Sequence, residues 1–161
     1  MTDFTAIPGR VLEKARAKGW MIATAESCTG GRVASALTAI AGASDVYDRG
    51  FVTYSNDAKQ AMLGVSPETL DSFGAVSEQT AREMADGALA HSAASLAVAI
   101  TGVAGPGASD AKPEGMVCFA VKAAGQATLT LTRHFGALGR TAVQQASTET
   151  ALSLLEQELD R

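Results

Sequence analysis

An α/β fold, a mixed sheet with helices on its faces, is predicted by three observations. Short apolar runs suited to buried strands stand singly between helical patterns through the first two thirds of the chain. Two further runs flank Ala124-Gly125-Gln126 as a late hairpin. The 161 residues, 47% hydrophobic and 19% charged, suffice for one domain, residues 1–161, around a single core.

From Phe4 to Lys18, Ile7, Val11, Leu12 and Ala15 recur at helical spacing, and Gly19 is placed to end the helix. Trp20 to Ala25 follows as a buried strand. After a Gly-rich turn a second helix runs from Arg32 to Ile40 with Val33, Ala34, Leu37 and Ile40 inward. Ala41 to Asp45 is a loop, and Tyr47 to Tyr54 a strand with Gly50 as a bulge. Ser55-Asn56-Asp57 caps a short helix carrying Lys59 and closed by Gly64. Ser66-Pro67-Glu68 starts another that ends near Phe73-Gly74, and Ser77 to Thr80 matches a capping box that launches Ala81 to Ala90. Ser95 to Ile100 is an apolar strand leading into Thr101-Gly102-Val103-Ala104-Gly105-Pro106-Gly107. Ala108 to Pro113 reads as an exposed loop, Gly115 to Ala123 and Ala127 to Phe135 as the hairpin strands, and Thr141 to Leu159 as the last helix.

The net charge of −4 and the lack of a Lys/Arg stripe argue against nucleic-acid binding. Without a leader pattern or a run of 18 apolar residues, the chain is expected in the cytoplasm, away from membranes. Cys28 and Cys118 stand far apart without metal-ligand spacing, so reduced thiols and no metal are expected.

Chemistry is expected at Thr24-Ala25-Glu26-Ser27-Cys28-Thr29-Gly30-Gly31, where a strand pattern gives way to a helix. Backbone N–H groups of Thr29, Gly30 and Gly31 could receive a phosphate, a carboxylate or an oxyanion. The ordinary alternative is a capping Ser27 or Thr29 beside a glycine turn. Ser27 needs a base, which a partly desolvated Lys59 could supply, although lysines usually lie in solvent. Cys28 is the rival nucleophile, or else a small buried hydrophobe. His91 and His134 have no motif around them. Thr101 and Gly102 end a strand where a ligand could approach backbone, and Arg140, Arg49 and Arg32 are candidate anion holders. No P-loop or dinucleotide fingerprint is present.

Taken together, the 24–31 stretch, Arg49-Gly50-Phe51-Val52-Thr53-Tyr54-Ser55-Asn56 with Lys59, Gly74-Ala75-Val76-Ser77, Thr101 to Pro106 and Lys112-Pro113-Glu114-Gly115 resemble the C-terminal domain family of the competence/damage-inducible protein CinA. The resemblance runs almost end to end. It implies an α/β/α sandwich with a mixed sheet and a homo-oligomer without metal or cofactor. The implied activity is that of a nicotinamide-nucleotide amidase, converting nicotinamide mononucleotide and water to nicotinate mononucleotide and ammonia in pyridine-nucleotide salvage. Ser27 would be the nucleophile, Lys59 its base and Tyr54 a supporting residue. Thr29, Gly30, Gly31, Thr101, Gly102 and Arg140 would bind the nucleotide, Arg140 at its phosphate. Many members read Gly-Asp-Arg before the last helix with a second Arg four residues on, where this chain has Leu138-Gly139-Arg140 and Gln144. That departure motivates a second reading, a non-catalytic nucleotide-binding or interaction module.

Overall fold

In the computed structural model, residues 6–109 and 111–161 are described. The expected helix start at Phe4, and Asp110 in the expected loop, lie outside them. The described residues form six α-helices, α1 (Ile7–Lys18), α2 (Arg32–Thr38), α3 (Asn56–Leu63), α4 (Pro67–Phe73), α5 (Glu78–Ala90) and α6 (Arg140–Leu159). Their five strands are β1 (Ile22–Glu26), β2 (Tyr47–Val52), β3 (Leu96–Gly102), β4 (Met116–Ala123) and β5 (Leu129–His134). The strands join in one sheet of order β2-β1-β3-β4-β5. β1 is parallel to β2 and β3, while β4 runs antiparallel to β3 and β5, so the sheet is mixed as expected.

Alternation along the central strands sorts large from small side chains. Ile22, Leu96, Val98, Ile100, Val117 and Phe119 join the core under α1, α2 and α6. Ala23, Ala25, Ala97, Ala99 and Ala120 turn to the other face, where Ala81, Met84, Ala85 and Ala88 of α5 meet them. Helices therefore cover both faces, giving the three-layer sandwich. The small-residue face lets α5 come close, and Gly87 is where α3 meets it: a Cβ there would lie 2.8 Å from the Leu63 carbonyl carbon. Gly87→Ala is expected to lower stability by about 1–3 kcal/mol, since backbone is harder to displace than a side chain. Thermal or urea unfolding reads this directly. On the opposite face α6 is tied to α1 by Glu156, whose carboxyl the Arg10 guanidinium, 2.7 Å away, and the Lys14 ammonium hold down at about 2.

Several expected boundaries shift. α2 stops at Thr38, leaving Ile40 36% exposed rather than inward. The 41–45 loop contains a 3-10 turn at Ala43–Asp45. β2 has its irregularity between Tyr47 and Arg49 rather than at Gly50, which pairs regularly with Thr24. Asp48 leaves the ladder there to accept the Ala93 N–H at 2.9 Å. β2 ends at Val52, so Tyr54 lies beyond the strand. Ser77 accepts from the Thr80 N–H, but the reciprocal half of a capping box is missing: the Thr80 side chain reaches to the Gly74 carbonyl, to which its hydroxyl donates, and not back to the Ser77 N–H. No helix among the described residues is long and apolar enough to cross a membrane.

Candidate active site

Because β1, β2 and β3 are parallel, their C-terminal ends open on one edge of the sheet, the usual place for a ligand in such folds. Ser27 follows β1 there, its amide held by the Ile100 carbonyl of β3 at 2.9 Å. The chain then turns sharply, with the Gly30 N–H donating back to the Ser27 carbonyl at 3.0 Å. Gly30 and Gly31 take φ of +57° and +103°, a left-handed pair that side chains would strain. Neither Ser27 nor Thr29 caps α2. Glu26 does so instead, accepting the Val33 and Ala34 N–H groups at 2.9 and 3.0 Å and the Thr29 hydroxyl at 2.6 Å.

Lys59 reaches the same point from the other side of the sheet. Ser55 caps α3 by accepting the Ala58 N–H, and this sets Lys59 and Leu63 on the buried stripe of the helix. Lys59 is only 1% exposed, against the ordinary expectation for lysine. Its Nζ lies 3.1 Å from Ser27 Oγ and donates to the Thr53 carbonyl at 3.0 Å. Burial pushes its pKa below the ordinary lysine value. A neutral amine in this place keeps one N–H on Thr53 and turns its lone pair to the serine hydroxyl, the arrangement general-base activation requires.

The pair opens into a cavity of about 210 Å³, also lined by Cys28, Tyr54, Thr101, Gly102 and Arg140. Thr101 donates its hydroxyl to the Ala75 carbonyl at 2.7 Å, joining the β3 end to the loop before α5. Arg140, the first residue of α6, donates to the Tyr54 hydroxyl at 2.6 Å and the Gly105 carbonyl at 2.7 Å. Tyr54 is thus at the rim, 62% exposed and paired with Arg140. Thr29, Gly30 and Gly31 do not line the cavity. The Thr29 hydroxyl is turned to Glu26, and the Gly30 N–H is taken by Ser27. Donors remain at the Cys28 and Thr29 amides, which give no hydrogen bond to another residue among the described ones. Arg49 and Arg32 are held elsewhere, Arg49 by Asp48 and the His91 carbonyl, Arg32 by the Thr29 carbonyl. His91 and His134 lie outside the cavity. Burial pushes the Cys28 thiol up to about 12, so it is protonated at neutral pH and a poor rival to Ser27. A larger groove of about 580 Å³ between β5 and α6 has no nucleophile beside a buried base.

Residues 5–159 match the CinA C-terminal domain. The chain belongs to this family. It is 48% identical over 161 residues to the nicotinamide-nucleotide amidohydrolase PncC of Escherichia coli (strain K12), covering 98% of this chain and 97% of that protein. It is 47% identical over 144 residues to a CinA-like protein of Syntrophobacter fumaroxidans, covering 89% of this chain and 34% of that protein. The chain thus spans about a third of the length of some curated relatives it matches. Among solved structures, the competence/damage inducible protein CihA of Agrobacterium tumefaciens superposes with a TM-score of 0.94 at 51% identity, over 100% of this chain and 98% of that one.

Within the CinA C-terminal domain of this chain, four residues have a place at the site that the sequence did not announce. Glu26 sits in a strand, where nothing in the pattern announces a helix cap. Asn56 and Ser109 line the cavity from segments read only as a cap and a loop. Gln144, where many members carry a second Arg, is buried and donates to the Cys28 carbonyl at 3.2 Å, steadying the turn from α6.

Proposed function

We propose that this chain hydrolyses the carboxamide of nicotinamide mononucleotide, using Ser27 as nucleophile and Lys59 as its base. The observation that carries the mechanism is the buried Lys59 Nζ 3.1 Å from Ser27 Oγ at the cavity floor. Identity to PncC over nearly the whole of both chains supports the substrate. In the first step Ser27 Oγ bonds to the carboxamide carbon while neutral Lys59 takes the hydroxyl proton. The oxyanion forms against the Cys28 amide, a backbone donor of a residue that lines the cavity. Collapse breaks the C–N bond, Lys59 returns the proton to the leaving nitrogen, and ammonia departs from an ester on Ser27. Water, deprotonated by Lys59, then attacks that ester. Nicotinate mononucleotide leaves and Ser27 regains its proton.

A cavity of about 210 Å³ is small beside the several hundred Å³ typical of ligand clefts, which favours the carboxamide end inside and the rest of the nucleotide across the rim. Thr101 and Gly102 would flank the inner end, and Arg140 would take the phosphate at the rim in exchange for Tyr54 or Gly105. Arg140→Ala is therefore expected to raise KM for the mononucleotide about tenfold to a hundredfold, the worth of a charge-assisted bond, with little change for the phosphate-free nucleoside. Steady-state kinetics on both substrates would expose a different role if KM rose equally for the two.

The proposal includes residues 1–161 acting as one amidase domain in a cytoplasmic homo-oligomer, on a small-molecule nucleotide, without cofactor, nucleic acid or membrane. A net charge of −4 supports the nucleic-acid part. The deciding experiment incubates chelator-treated protein with nicotinamide mononucleotide and measures ammonia, with light scattering for the subunit number. Ammonia release supports the amidase. Binding without release assigns the chain to a nucleotide-binding module on the same scaffold.

A further inference from the structure

The geometry points to Glu26 as a positioning residue, one that holds Ser27 and the Cys28 amide behind it without touching substrate; this rests on the Ser27/Lys59 reading above. Glu26 is the last residue of β1 and 1% exposed. A buried carboxylate is costly unless its oxygens are bonded, and here three donors converge on it. They come from the two sides of Gly30-Gly31: the Thr29 hydroxyl before the glycines, and the Val33 and Ala34 N–H groups after them. A helix cap is ordinarily a short side chain at the N-cap position. That position is Gly31, without a side chain, and the task passes back to the residue adjoining the nucleophile.

Two consequences bear on the reaction. The Glu26 carboxylate occupies the positive end of α2, so the helix terminus is not free to receive an anion, and the oxyanion is left to the Cys28 amide. The next peptide consists of the Cys28 carbonyl and the Thr29 N–H, and the Thr29 side chain is anchored to Glu26. Ser27 is held at its own amide by Ile100, and Cys28 at its carbonyl by Gln144. Glu26 supplies the connection across the two glycines, where the backbone has most freedom. Oε1 alone bridges the glycines, accepting from both Thr29 and Val33, while Oε2 takes the Ala34 N–H; a glutamine offers a single neutral oxygen, which weakens that charge-assisted bridge and turns an NH2 toward the Ala34 N–H.

The test uses the full chain with Glu26→Gln, Thr29→Val and the double variant, assayed well below each melting temperature. Expected for Glu26→Gln is a fall in kcat of about tenfold to a hundredfold per folded molecule, the scale of a misaimed nucleophile or oxyanion donor, with KM within about twofold. The acid limb of the pH profile should stay in place because Lys59 keeps its surroundings. Thr29→Val should lower kcat in the same sense, and the double variant should fall short of the product of the two because both weaken the one Glu26–Thr29 bridge. An unchanged kcat with only a lower melting temperature would reduce Glu26 to a structural cap. A raised KM with kcat intact in Thr29→Val would place Thr29 on the substrate instead and overturn the inference. If Glu26→Gln does not fold, Thr29→Val decides alone. A wild type that releases no ammonia sinks the amidase reading; the rate of Ser27 labelling by a fluorophosphonate, followed by intact mass, then tests Glu26 without any nucleotide. Equal labelling of wild type and Thr29→Val would count against it.

Discussion

Ser27→Ala is expected to lower ammonia release from nicotinamide mononucleotide by at least about 10³-fold, with nucleotide affinity retained within a few-fold. Loss of one hydroxyl leaves the cavity walls, Arg140 and the Thr53 contact of Lys59 in place, so binding has little reason to change. What disappears is the atom that must bond to the carboxamide carbon. The remaining nucleophile nearby is Cys28, and burial holds its thiol protonated, up to about 12. A thiol in that state cannot take over at neutral pH. Ammonia release beside calorimetric titration of the same preparation separates the outcomes. Undiminished turnover in Ser27→Ala would remove Ser27 from the chemistry and return Cys28 to consideration.

How far the sequence carries toward this site depends on whether a feature is local. Helix starts at Ser55, Ser66 and Ser77 are legible because a capping hydroxyl acts on an amide three residues away, and each is seen to do so. The two-faced sheet is legible too, since alternation of large residues with alanine is written along β3 itself. Strand order is not, because β1 lies between β2 and β3 only after crossovers that no local pattern encodes. The burial of Lys59 is of that second kind. Its helix was readable, but its distance from Ser27, across 32 residues of chain, follows from how β1 and α3 meet. Tyr54 shows the same limit: placed by sequence on a strand beside Lys59, it lies past the strand end and meets Arg140 from 86 residues away. Glu26 is the sharpest case, a helix cap supplied by a strand, and only the turn between them reveals it.

Lys59→Met is expected to lower turnover by about 10³-fold or more, since among the described residues no other base contacts the serine, and to change how stability depends on pH. The sign follows from burial, which holds the folded-state pKa of Lys59 below its ordinary value of 10.5. Below that folded pKa, Lys59 is charged in both states and the penalty of burying the charge is fully present. Between the folded pKa and 10.5 the unfolded chain binds the extra proton, so wild-type stability gains with rising pH through that window. The methionine variant lacks this gain. Its stability relative to wild type should be most favourable at the acid end and decline as pH rises, on top of a pH-independent loss of about 1–3 kcal/mol for the Thr53 carbonyl left without its donor. Activity runs on the same proton: turnover of the wild type should fall as pH drops through the folded pKa, because the base becomes an ammonium. Urea unfolding of both proteins across pH, set against the wild-type rate profile, gives two readings of one titration. If the stability difference stays flat where the rate falls, the group controlling the rate is not Lys59.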